Sequence, residues 1–235
     1  MRSGVRVATG LFCLLVTAGA AGCGGGGAAE SRSGKELLDD ANAAMRGLSS
    51  VTIEVTSTPA KGDTVTSRLV TDLDDRCSSR TTWSEGGTLE QIRIGATDYV
   101  RPDSAYLQRW EKSDTGAATA QRLWVKTPVD ADSADSAGGG IASCTRPFTS
   151  FGTVEKGAVE RIDGKPARKL TVTDDAYPDA TYTFHVAAEG EPYLLRSVYE
   201  GDDFHTVTTF SGFGDSLGVN PPKSSEVVET DSSGR

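Results

Sequence analysis

Apolar residues recur at every second position in short runs along most of this chain, and that period restricts the fold more than any other feature of the sequence. Val51, Ile53 and Val55 alternate against Thr52, Glu54 and Thr56. Successive side chains of an extended backbone point to opposite faces, so this pattern gives a strand with one dry and one wet face. Further strands are expected at about Val65 to Leu73, Cys77 to Trp83, Thr88 to Ile94, Asp98 to Arg101 and Ala105 to Glu111. Lys61-Gly62-Asp63, Asp74-Asp75 and Gly86-Gly87 supply the turns between them. A second series runs Val154 to Ile162, Ala167 to Val172, Thr181 to Ala187, Tyr193 to Tyr199 and Phe204 to Phe210. Its connections, Asp163-Gly164, Glu189-Gly190 and Glu200-Gly201-Asp202-Asp203, are hairpin turns by composition.

One helix precedes the strands. Ser33 followed by Glu36 forms a capping-box pattern, and Leu37, Leu38, Ala41, Ala44, Met45 and Leu48 recur at helical spacing. Lys35, Asp39, Asp40, Asn42 and Arg46 occupy the other, wet face. In mid-chain, Ser113 to Thr119 and Asp130 to Gly140 are small and polar and read as long loops. Between them Ala120 to Val125 reads as a short helix docking Leu123 and Trp124, and Phe148 and Phe151 are expected to dock likewise. The fold expected is α+β, mainly β: a curved antiparallel half-barrel of about 10–11 strands on the N-terminal helix and a short mid-chain helical insertion. A closed barrel is the alternative.

The first 22 residues have another purpose. Arg2 and Arg6 precede an uncharged stretch from Val7 to Ala21, the order of a signal peptide. The stretch is shorter than the roughly 20 residues that span a bilayer core. Ala20-Ala21-Gly22-Cys23 resembles a lipobox, with alanine where leucine is commonest, and by that resemblance Cys23 carries a diacylglycerol on the extracytoplasmic face of the cell membrane. The alternative is a secreted protein cleaved near Ala21. Residues 23–32, with Gly24 to Gly27, then form a flexible tether about 17 Å long. A single domain is expected over residues 33–222, followed by a disordered tail over 223–235.

Of four cysteines, Cys13 leaves with the signal and Cys23 is lipidated, so Cys77 and Cys144 remain as a pair in an oxidising compartment. A disulfide is expected, stabilising by about 4 kcal/mol on the chain-entropy model. A redox pair would call for CxxC spacing, which is absent. The formal charge of −9 becomes about −11 once the two signal arginines are gone. Such an acidic surface repels phosphate backbones, so nucleic acid is not an expected partner.

The metal-hydrolase signature HExxH and the phosphate-binding GxxxxGK[ST] are absent, and the chain has only two histidines. His185 and His205, with Glu200, Asp202 and Asp203 nearby, are weighed as a metal site, against the simpler reading of partly exposed strand residues. Asp174-Asp175 and Asp202-Asp203 read as solvated turns rather than calcium ligands. Trp83, Tyr99, Tyr106, Trp110 and Trp124 are the candidate ligand-binding residues, weighed against a plain core role. The strands are rich in Thr and Ser and only 37% of residues are hydrophobic, which argues for a small or closed pocket. No cofactor and no metal is expected.

The lipobox, the glycine tether, a first helix ending in AAMRGLSSVTIEV, the DYVR strand and the closing run IDGKPARKLTV, TYTFHV and TVTTFSGFGDSLGVNPP together resemble the LolA-like superfamily. Within it they look most like actinobacterial lipoproteins of the LppX and LprG type. The resemblance implies a half-barrel with helices in its mouth and an apolar cavity that in several members carries lipids or lipoproteins. It implies no catalytic residues, and only Cys23 is matched residue by residue. The function expected is that of a non-enzymatic, membrane-anchored envelope lipoprotein that binds a lipid or other amphipathic molecule. The alternative is an envelope sensing or protein-interaction module without a ligand.

Overall fold

The computed structural model describes residues 31–110, 123–129 and 143–229. The signal, Cys23, most of the tether and the loops expected at Ser113 to Thr119 and Asp130 to Gly140 lie outside the described residues. A compact unit begins at Ser33.

Helix α1, Gly34–Arg46, opens that unit. Ser33 Oγ accepts the Glu36 N–H, and Glu36 Oε2 accepts the Ser33 N–H at 2.7 Å, so two amides that the first helical turn leaves unbonded are satisfied. Leu38, Ala41, Asn42 and Met45 form the buried face, while Lys35 and Asp39 pair on the wet one. Asn42 departs from the expected wet face. Its amide donates to Ser150 Oγ at 3.0 Å, which satisfies a polar group taken into the interior.

Among the described residues twelve strands form one sheet: β1 (Val51–Pro59), β2 (Val65–Thr71), β3 (Arg76–Trp83), β4 (Thr88–Ile94), β5 (Thr97–Pro102), β6 (Trp124–Pro128), β7 (Thr153–Ile162), β8 (Lys165–Asp174), β9 (Tyr177–Ala187), β10 (Leu194–Glu200), β11 (Phe204–Ser211) and β12 (Val227–Glu229). Their order is β12-β6-β5-β4-β3-β2-β1-β11-β10-β9-β8-β7. The sheet is curved, and β12 and β7 are its two edges, so it stays open rather than closing into the alternative barrel. The Asp163-Gly164 hairpin forms as expected, with φ of 48° and 80°.

Three expectations fail. The strand expected from Ala105 is instead a short helix, α2 (Ser104–Trp110), begun where Asp103 Oδ1 accepts the Tyr106 N–H at 2.8 Å. The helix expected at Ala120 to Val125 gives way at Trp124 to β6, which pairs with β5; residues 120–122 lie outside the described set. The tail expected over 223–235 holds, in its first part, a 3₁₀ turn at Ser224–Glu226 and then β12, which runs parallel to β6 with Val227 opposite Trp124; residues 230–235 lie outside the described residues.

The core lies between the sheet and α1. Leu38, Ala41 and Met45 meet Val51, Ile53, Leu69, Leu170, Val172, Val186 and Leu194 from the inward positions of the strands. At about 25 cal/mol per Å² of apolar area removed from water, this burial is the main favourable contribution to the fold.

Candidate functional site

The segment from Ser143 to Gly152 enters the described structure without helix or strand, so it must be held by side chains. Cys144 is joined to Cys77 on β3 by a disulfide, and the Cys144 carbonyl accepts the Thr71 hydroxyl hydrogen at 2.7 Å. Arg46 donates to the Phe148 carbonyl, and Ser150 accepts from Asn42. Phe148 is buried and Phe151 half-buried. The segment is thus a strap tied to α1, β2 and β3 at four points.

Beneath the strap is a cavity of about 270 Å³. Ile53, Val55, Phe184, Leu194 and Phe210 form the sheet wall, and Pro147, Phe148 and Phe151 the strap wall. The rings are in mutual contact: Phe148 meets Phe210 edge-on at 6.1 Å, and Phe151 meets Tyr182 at 4.8 Å and Phe184 at 6.3 Å. Burial pushes the Tyr182 phenol above its usual pKa, aided by the neighbouring Tyr199, so that hydroxyl is neutral at physiological pH. Polar groups are few: Asn42, Thr149, Ser197 and Thr208, with Arg146 at the exposed lip. Arg146 Nη1 donates to the carbonyls of Ser143 and Thr145 at 3.1 and 3.0 Å. Desolvation lowers its pKa, though a guanidinium stays charged regardless. An apolar chamber with a few polar groups at one side is the usual form of a small-molecule site.

The five aromatic residues singled out in the sequence lie elsewhere. Trp83, Tyr106 and Trp110 come together where α2 meets the ends of β3 and β4, with ring centroids 5.3 to 6.4 Å apart and Trp110 54% exposed. Tyr99 on β5 is half-buried and Trp124 on β6 is buried, with Arg101 stacked 4.3 Å over the Trp124 ring. None of the five lines the cavity under the strap. The aromatic rings that do, Phe184 and Phe210 on the sheet and Phe148 and Phe151 on the strap, carry a sequence signal only as inward positions of alternating strands or as apolar residues in a polar segment.

His185 and His205 are not brought together. Arg196 of β10 stands between β9 and β11, opposite His185 on one side and Thr209 on the other, four residues from His205. His185 lies 3.3 Å from Glu160, and His205 lies 3.8 Å from Glu200. Among the described residues no group of three or more His, Cys, Asp or Glu is placed to hold a metal ion. Nor is any described helix long and apolar enough to cross a membrane.

This open, mainly antiparallel sheet curved around one N-terminal helix is the LolA-like fold. Among solved structures it is similar to the lipoprotein LppX of Mycobacterium tuberculosis, at a TM-score of 0.50 and 16% identity, covering 79% of this chain and 98% of LppX. LprF of Mycobacterium bovis matches at a TM-score of 0.49 and 14% identity, over 80% of this chain and 96% of LprF. The MucA/MucB complex of Pseudomonas aeruginosa matches at a TM-score of 0.39 and 14% identity, over 82% of this chain and 59% of that one. No family model matches the sequence, and no curated protein does.

Proposed function

We propose that this chain is a non-enzymatic envelope lipoprotein, held on the outer face of the cytoplasmic membrane by a lipid on Cys23, that binds the acyl part of an amphipathic molecule under the strap. The observation that carries this reading is the cavity wall of Phe148, Phe151, Phe184 and Phe210. Moving a chain from water into such a wall contributes about 0.8 kcal/mol per methylene. At about 270 Å³ the chamber falls just below the roughly 300–1,000 Å³ usual for ligand sites, so it suits one chain rather than a large multi-chain lipid. Two acyl chains on Cys23 would provide stable anchoring.

Native mass spectrometry of the protein purified from membranes tests both parts. A diacylglyceryl-modified Cys23 supports the anchor, and a further lipid-sized mass in near-unit ratio supports the carrier. A protein without that second mass overturns the carrier reading in favour of a protein-interaction module. The surface to test in that case is the exposed Trp110, which rests against Trp83 and Tyr106.

A further inference from the structure

The chamber under the strap is lined by thirteen residues, of which Arg146 alone carries a charge. A carboxylate partner would make Arg146 a structural ion pair, yet among the described residues it forms none, and both of its bonds go to backbone carbonyls through Nη1. Those two bonds fix the head of the side chain while Nη2 and Nε, which hold three of the five guanidinium donors, are directed to no acceptor among the described residues. In a chain of net charge −9, a fixed cation at the lip of an apolar chamber is a local reversal of sign. Thr149 adds a hydroxyl at the same lip.

We infer that the chamber takes a single-chain amphiphile with an anionic head, its chain between Phe184, Phe210 and the strap and its carboxylate or phosphate on Arg146. This rests on the cavity reading above and adds the head-group class. A planar guanidinium matches either oxyanion by paired N–H donors, and such charge-assisted bonds are about twice as strong as neutral ones.

The test is calorimetric titration of the full chain carrying Cys23→Ser, freed of bound lipid, with dodecanoate, dodecyl phosphate, dodecanol and inorganic phosphate. The two anionic amphiphiles are expected to bind about tenfold tighter than the alcohol, as one charge-assisted contact provides. Arg146→Gln is expected to bring both down to the level of the alcohol without changing the alcohol, and Arg146→Lys to keep part of the preference. Equal affinity for all three chains, or an equal loss for all three in Arg146→Gln, overturns the head-group assignment and leaves lipid binding intact. Inorganic phosphate binding as tightly as dodecyl phosphate overturns the amphiphile in favour of a free anion. Failure of every chain to bind overturns the cavity reading itself.

Discussion

The Thr71 hydroxyl on β2 and the Cys144 carbonyl on the strap share a buried hydrogen bond of 2.7 Å across 73 residues of sequence. Thr71 Oγ1 in turn accepts the Leu73 N–H at 2.8 Å, so one side chain both ends β2 and seats the strap. Thr71→Val keeps the shape and removes both bonds, leaving a buried carbonyl and amide without partners. A loss of about 1–3 kcal/mol is expected in urea unfolding, and it is refuted if the midpoint does not move.

The disulfide between Cys77 and Cys144 closes a loop of 67 residues. Its reduction, or the double substitution Cys77→Ser and Cys144→Ser, is expected to cost about 2–5 kcal/mol. Because the strap forms one wall of the chamber, ligand affinity should fall along with stability. The checks are unfolding with and without reductant and a count of free thiols.

Gly152 turns the strap into β7 at φ +58°, where a Cβ would stand 2.2 Å from the Thr173 carbonyl oxygen. Gly164 has φ +80° with open space around it. Gly164→Ala should therefore cost about 1 kcal/mol for backbone conformation alone, and Gly152→Ala at least about 3 kcal/mol because Thr173 on β8 must also move. Equal costs in thermal unfolding would show that the close approach at Gly152 is not a constraint.

His185 is 5% exposed, and its Nδ1 is buried without a partner. Burial pushes its pKa below the usual 6.5, and Glu160, which acts to raise it, does not compensate. The unfolded chain then binds a proton more readily than the folded one. The associated stability is complete above about pH 6.5 and is lost as pH falls from there through the lower folded value. Unfolding free energies measured between about pH 7.5 and 5 should fall with acid, and His185→Gln should flatten the curve. An unchanged slope in that variant rules His185 out as the source.

Much of the fold was legible because it is local. The alternation of Val51, Ile53 and Val55, the Ser33–Glu36 cap and the Asp163-Gly164 turn each act within a few residues. The failures depend on partners distant in sequence or on a competing short-range signal. Val227–Glu229 is a strand only because β6 offers it an edge, and Trp124 is in a strand because β5 and β12 flank it. Ser104–Trp110 looked like a strand because its apolar residues fit either period over so short a run, but the Asp103 cap selects the helix. Asn42 is polar yet buried because Ser150, 108 residues away, answers it. In the chamber, Phe184 and Phe210 fall in strands that the sequence marks, yet nothing local singles them out over the five aromatic residues expected there. Nor is their meeting with Phe148, Phe151 and Arg146 marked, since the strap is placed by the disulfide and by Thr71.

The register at the centre of the sheet bears on biosynthesis. β1 is flanked by β2, which follows it at once, and by β11, whose Ser211 pairs with Thr52 only when about 160 further residues have been made. In a chain synthesised amino end first, the hairpins from β1 to β5 can zip together while the far side of β1 waits as a raw edge able to pair with a neighbouring nascent chain. The outer side of β6 likewise stays unpaired until β12, about 100 residues further along, has been made. The hazard to this molecule is thus greatest while its sheet is half built, the tens of seconds that synthesis at about 5–20 residues per second takes, and a companion that shields raw edges would serve it then rather than in its working life.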